Sequence, residues 1–162
     1  MSLAIFFGGS SYEHEISIIS AISLSKKLTI PLKLIFISKD REFYLISQEN
    51  FRANLFSSGK YKKEKKLEFI NGSFFIKSLF GSSKIDFELA LNLVHGRDGE
   101  DGKVASIFEF FNIPYIGPRV EASVVSYNKL LTKQFAKSRG VDVLDFESIS
   151  RGQKPTMKLP LI

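Results

Sequence analysis

Short apolar runs punctuated by glycine set the plan of the first half of the chain. Residues 3–7 are apolar and end at Gly8-Gly9, the pattern of a buried strand that leaves through a tight turn. The period then changes. Across 13–28, Ile16, Ile19, Ser23 and Leu28 approximate one helix face, which Ile18 and Ile22 widen. A second strand is predicted over 32–38, a turn at Asp40-Arg41 and a third strand over 43–46. Residues 47–66 are polar and poorly patterned. Asn71-Gly72 between the apolar runs 67–70 and 73–76 is the strongest hairpin signal in the chain.

The second half repeats the strand, glycine turn, helix order. Residues 87–94 predict a strand, followed by the polar glycine loop 95–102 and a helix over 103–111. A short strand at 113–116 closes at Gly117-Pro118. A long helix over about 120–138 is expected to end at Gly140, a natural C-cap position, with one more strand at 141–146. Residues 151–162 carry two prolines and no clear period. This order predicts an α/β fold, a doubly wound, mostly parallel sheet with helices on both faces and an antiparallel excursion near 43–76. In such sheets ligands bind beyond the carboxyl ends of the strands, the edge that loops 8–13 and 95–102 both leave.

Composition narrows the chemistry. The 162 residues are about one domain's worth, and 44% are hydrophobic, enough for a core and too many for wholesale disorder. No apolar run reaches the roughly 18 residues of a membrane span, and the start lacks the basic and apolar regions of a signal peptide. There is no cysteine, which removes disulfides, thiolate nucleophiles and thiolate zinc sites and fits a cytoplasmic domain. Two histidines leave no multi-histidine metal centre. The net charge is +6, and its densest patch is Lys60-Tyr61-Lys62-Lys63-Glu64-Lys65-Lys66. That patch reads either as a solvated loop or as a basic binding module, with Tyr61 as its one stacking aromatic.

Two loops carry the candidate chemistry. In Gly8-Gly9-Ser10-Ser11-Tyr12-Glu13-His14-Glu15 the glycines permit a sharp turn, and Ser10 with Glu13 has the spacing of a capping box. Glu13 therefore has two readings, a helix cap or a carboxylate aimed at a ligand ammonium. Neither a dinucleotide fingerprint nor a P-loop is present, and two nearby glutamates favour a cationic ligand group over a phosphate. In His95-Gly96-Arg97-Asp98-Gly99-Glu100-Asp101-Gly102, three glycines supply more backbone freedom than a plain connector needs. It does not follow the alternating carboxylates of a calcium loop. His95 is a ligand hydrogen-bonding group or a structural tie. Glu100 and Asp101 suit the start of the next helix, and Arg97 suits a carboxylate or solvent. Lys129, on the long helix, reads by periodicity as part of a solvated face.

Together, residues 7–17 and 95–102 resemble the two N-terminal signatures of the D-alanine–D-alanine ligase family. Ile113-Pro114-Tyr115-Ile116-Gly117-Pro118 resembles the family's next strand, and Ser126-Tyr127-Asn128-Lys129 with Thr132-Lys133 resembles its serine-(x)-(Asp/Asn)-lysine helix. The resemblance covers about 3–146. It implies a pre-ATP-grasp, Rossmann-like domain at 1–118 and the truncated start of an ATP-grasp central domain at 119–162. It implies an enzyme that uses ATP, with magnesium, to join two D-alanines for peptidoglycan. In that scheme Glu13, the candidate catalytic residue, holds the first D-alanine's ammonium. His95 lies near that substrate's carboxylate, Glu100 is a further substrate-binding candidate, and Lys129 contacts ATP phosphates. No metal ligand is assigned, since the magnesium acids lie beyond this stretch.

The same resemblance implies a cytoplasmic homodimer with D-alanine as partner, and neither nucleic acid nor membrane. A full ligase is about twice as long, so this chain is expected to be an N-terminal portion, inactive alone. Its tail at 151–162 is expected to depart from the family's continuation. Within the family the second substrate is D-alanine, D-lactate or D-serine, a choice made largely outside these residues.

Overall fold

The computed structural model describes residues 2–78 and 81–157. It falls into two compact units, Met1–Val124 and Val125–Ile162. The first is built on one eight-stranded sheet. Its strands are β1 (Leu3–Gly8), β2 (Leu32–Ile37), β3 (Phe43–Ile46), β4 (Lys65–Ile70), β5 (Ser73–Ser78), β6 (Gly81–Ile85), β7 (Leu89–Asn92) and β8 (Tyr115–Ile116). The sheet order is β6-β5-β4-β3-β2-β1-β7-β8.

Strand alternation builds the core. On β1, Leu3, Ile5 and Phe7 face one side with Leu34 and Phe36 of β2. Ala4 and Phe6 face the other with Ile35 and Ile37. Helices cover both faces: α1 (His14–Ser25) and α2 (Ala53–Ser57) on the first, α3 (Lys103–Phe110) on the second. Strands β1 and β2 are buried on both sides, which is why they read as continuous apolar runs rather than alternating ones.

The expected parallel pairing of 3–7 with 87–94 holds: Leu3 lies opposite Leu89 and Phe6 opposite Asn92. β1 with β2, and β7 with β8, are also parallel. The other four pairings, from β2 through β6, are antiparallel. The Asn71-Gly72 hairpin forms with Ile70 opposite Ser73, Asn71 adopting φ +48° and Gly72 φ +78°.

The antiparallel excursion is longer than expected, because β6 adds an outer strand. Gly81, Ser82, Ser83 and Lys84 are exposed and only Ile85 is buried, so this edge strand carries no apolar alternation to betray it. The polar stretch 47–66 contains α2, whose Leu55 and Phe56 are buried. A single turn that short has no readable period and is held by packing. Tyr61, the aromatic that the alternative reading as a basic module would need, packs against Phe36 and Tyr44 at ring separations of 4.8 and 5.3 Å. The lysine patch thus offers charge without an outward stacking ring.

Three further expectations change. In α1 the buried stripe is His14, Ser17, Ile18 and Ala21, while Ile16, Ile19 and Ser23 point outward. Polar ties set this rotation: the Ser17 hydroxyl accepts from the Gly8 N–H (2.8 Å) and donates to the Leu93 carbonyl (2.5 Å). The single helix expected at 120–138 is two, α4 (Val120–Tyr127) and α5 (Lys129–Ser138). Asn128 between them is extended, and its side-chain oxygen accepts from the Leu130 and Leu131 N–H groups at 3.0 and 3.2 Å, capping a new helix. Residues 141–146 form no strand. A β-prone run becomes a strand only where it finds a ladder, and this one finds none among the described residues. Of the aperiodic tail at 151–162, residues 158–162 lie outside the described residues. Among the described residues, no helix is long and apolar enough to cross a membrane.

Candidate functional site

Because β1 and β7 are adjacent and parallel, their carboxyl ends open on the same edge, where both glycine loops emerge. β1 ends at Gly8, and Gly8 and the following Gly9 adopt φ +98° and +91°. The chain then enters α1 through Glu13. The predicted capping box does not form: the Glu13 side chain makes no cap hydrogen bond, and the Ser10 hydroxyl donates to Asp98 instead. Ser11 does the local work, its hydroxyl accepting from the Glu13 N–H at 3.0 Å and donating to the His95 carbonyl at 2.6 Å. The exposed Glu13 carboxylate is thereby left for the loop edge.

The second loop is wound tightly. The Glu100 N–H donates to the Gly96 carbonyl at 2.8 Å, and the Asn92 amide donates to the Gly99 carbonyl at 2.9 Å. This brings the three candidates for substrate binding together. One ligand atom each of Glu13, His95 and Glu100 lies within 4.8 Å of the others, and His95 Nδ1 is 3.7 Å from Glu100 Oε1. Two carboxylates and an imidazole at an open edge present negative charge and a hydrogen-bonding nitrogen. That suits a small ligand carrying an ammonium. It does not suit magnesium, which takes a near-octahedral set of oxygens. Arg97 is exposed, and Asp101 pairs with Lys103 at the start of α3.

Sequence reading missed the residues that hold this edge. Asp98 is 6% exposed. Burial would raise its carboxyl, but hydrogen bonds from Ser10 and Arg41 and the charges of Arg41 and Lys103 hold it below its ordinary 3.8. His14 is buried under Phe36, and its Nδ1 donates to the Gly9 carbonyl at 2.6 Å. The signal was a carboxylate beside Gly99 for Asp98 and a histidine between two glutamates for His14, neither of which sequence alone separates from a solvated loop.

Burial holds the His14 imidazole below its ordinary 6.5, outweighing the Gly9 hydrogen bond that would raise it. The unfolded chain therefore binds the extra proton first. The stability due to neutral His14 is complete above about pH 6.5 and is lost as pH falls from there through the folded-state value. Melting at pH 7.5 and 5.5 is expected to give a lower midpoint in acid, with a smaller drop in His14→Gln. An equal drop in both proteins would remove His14 as the cause.

Lys129 belongs to the second unit, at the first turn of α5. With Lys133 it borders a groove of about 760 Å³ walled by Leu130, Leu144, Phe146 and Met157. The Lys133 ammonium sits 5.0 Å from the centre of the Phe146 ring. Asp145 and Glu147 line the same groove, so its two cations are matched by two carboxylates and its charge does not by itself select a phosphate.

A family model described as the D-ala D-ala ligase N-terminus matches residues 2–118. The D-alanine–D-alanine ligase of Sulfurovum sp. is 56% identical over an alignment that covers all of this chain and 48% of that protein. The ligase of the same name from Campylobacter concisus is 52% identical, covering all of this chain and 47% of its own length. The crystal structure of the D-alanine–D-alanine ligase from Helicobacter pylori superposes with a TM-score of 0.82 at 46% identity, over 90% of this chain and 46% of that one. The chain spans about half the length of the curated relatives it matches. These alignments run through 151–162, so that tail continues the relatives' sequence, contrary to expectation.

Proposed function

The chain belongs to the D-alanine–D-alanine ligase N-terminal family, and from that premise we propose that it is the amino-terminal part of a ligase that joins two D-alanines for peptidoglycan at the expense of ATP. The observation that carries this reading is the convergence of Glu13, His95 and Glu100, from loops more than 80 residues apart, at one sheet edge. On this reading the Glu13 carboxylate holds the ammonium of the first D-alanine. His95 hydrogen-bonds that substrate's carboxylate, and Glu100, 3.7 Å from His95 Nδ1, is the third substrate-binding group. Their work is placement and charge, which lowers the entropic part of the barrier rather than moving a proton. ATP with magnesium supplies, when bound, the phosphoryl group that activates the substrate carboxylate. Lys129 and Lys133 are the groups of this chain suited to its phosphates. Residues 119–162 begin the central ATP-grasp domain, and magnesium ligands are assigned to none of the residues here. The second substrate as D-alanine, a homodimer of the complete enzyme and a cytoplasmic setting belong to the same reading.

Glu13→Gln tests it in a full-length ligase carrying this N-terminal part. Because the Glu13 side chain makes no cap hydrogen bond, the melting temperature is expected to stay unchanged. Loss of the charge weakens a charge-assisted hydrogen bond by about 1.5–3 kcal/mol, or roughly 10–100-fold in affinity for the first D-alanine. Steady-state kinetics against D-alanine and ATP separate the two substrates. Wild-type kinetics at low and high D-alanine would refute the assignment.

A further inference from the structure

Asp98 lies where no ligand role was assigned, yet it is the most heavily tied carboxylate of the loop edge. Arg41, in the turn between β2 and β3, reaches it with two parallel hydrogen bonds, Nε to Oδ2 at 3.1 Å and Nη2 to Oδ1 at 3.2 Å. Such a bidentate pair fixes orientation as well as distance. The Ser10 hydroxyl donates to the same carboxylate and accepts from Arg41 Nη2 at 3.3 Å. Lys103 Nζ approaches Oδ1 at 3.8 Å from the start of α3. One buried carboxylate thus joins the first loop, the β2–β3 turn and the second loop.

The backbone carries a second, independent mark. Arg41 and Asp98 both adopt left-handed φ, +62° and +75°, and the other two non-glycine residues with positive φ among those described are asparagines, Asn71 and Asn112. Asparagine tolerates that region; an arginine there is held by its surroundings. Aspartate tolerates it too, so of the two partners Arg41 alone sits in a conformation that its residue type does not favour.

We propose that Asp98, with Arg41 and Ser10, is a positioning clamp that sets the register of the two loops and thereby the convergence of Glu13, His95 and Glu100 on one ligand. The proposal rests on the substrate role given to those three residues above. The clamp touches no substrate. It acts by fixing the loop that carries Glu13 against the loop that carries the other two. Asp98 also passes its carbonyl to the Val104 N–H at 2.9 Å, so the clamp anchors the entry of α3 as well.

Amide hydrogen exchange on this chain tests the clamp without any assumption about substrate. In Asp98→Ala, amides of loops 8–13 and 95–102 are expected to exchange at least about 10-fold faster, while β1 and β2 stay within about twofold of wild type. Arg41→Lys keeps the charge but loses the fork, and is expected to fall between wild type and Arg41→Ala. Lys77→Ala, which breaks the exposed 2.7 Å pair with Glu68, serves as a control and is expected to leave both loops unchanged. Loops that exchange at the wild-type rate in Asp98→Ala overturn the clamp. So does a uniform acceleration of the whole sheet, which marks a merely stabilising residue. A second arm uses a full-length ligase carrying this part. Asp98→Ala is expected to raise KM for D-alanine about 10-fold, with kcat within about threefold and KM for ATP unchanged. Freed loops with unchanged D-alanine kinetics would overturn the substrate role of the three residues, and with it the positioning function, while leaving the mechanical tie.

Discussion

Gly99→Ala is expected to dismantle the second loop, the largest single-residue effect at the candidate site. A Cβ added at Gly99 would lie 1.8 Å from the Val94 carbonyl oxygen, 2.5 Å from its carbon and 2.6 Å from its Cβ. These are backbone and branch-point atoms, not the free end of a side chain. They sit where β7 gives way to the loop, held from the other side by the Asn92 amide on the Gly99 carbonyl. The φ of Gly99 is not in the left-handed region, so the demand is for close approach alone. No rotamer relieves a clash at Cβ, and the segment 95–101 must move as a body. We expect a loss of about 3 kcal/mol or more, at or beyond the upper end of the usual overpacking range, and a melting temperature lower by roughly 10 °C. Thermal unfolding monitored by circular dichroism measures this. In a full-length ligase the same change is expected to abolish D-alanine recognition by separating Glu100 from His95. An unchanged midpoint together with unchanged D-alanine kinetics would contradict the close approach.

Phe6→Ala is expected to cost about 3–5 kcal/mol, the usual loss for an aromatic cavity in a core. Phe6 is 1% exposed and lies between the sheet and α3. Its ring centre is 4.9 Å from Phe108, 5.4 Å from Phe74 and 5.9 Å from Phe87. The neighbours are rings in edge-to-face and tilted contact, each pair contributing about 0.5–1.5 kcal/mol beyond burial. Rigid rings cannot fold into the vacated space, so the cavity persists. Phe6→Leu refills part of it and is expected to recover about half of the loss. Denaturant titration of the three proteins checks the order wild type, Leu, Ala. Because α3 begins where the second loop ends, the Phe6–Phe108 contact also couples this core to the loop edge. Equal midpoints for the Leu and Ala variants would show that the ring's volume is not what the site depends on.

Much of the frame was legible because it is written locally. Apolar runs at 3–7 and 32–38, the Asn71-Gly72 turn and the glycine loops each carry their cause within a few residues: side-chain alternation, a left-handed φ, a tight exit. The pairing of the first strand with 87–94 followed from the repeated strand–loop–helix order, since parallel neighbours need a crossover. β6 and α2 were illegible for the opposite reason. Neither has a period of its own, and each exists because a sheet is there to pack against or pair with.

The edge divides in the same way. Local pattern was enough to place two glycine loops with acids and a histidine at one end of a sheet, and Glu13, His95 and Glu100 on them. It left Ser10 with two eligible partners, Glu13 three residues away and any acid brought near by folding. Folding settled the choice by bringing in Asp98, 88 residues on. It likewise turned His14 and Ser17 of α1 to the sheet and left Ile16 and Ile19 in solvent. The physical reason is the cost of a buried polar group. A serine, a histidine or an aspartate taken from water must find its hydrogen bonds inside, and the nearest donor or acceptor in space is set by the packing of strands. Hydrophobic periodicity records which residues prefer to leave water; it does not record which distant partner awaits the polar ones that go with them.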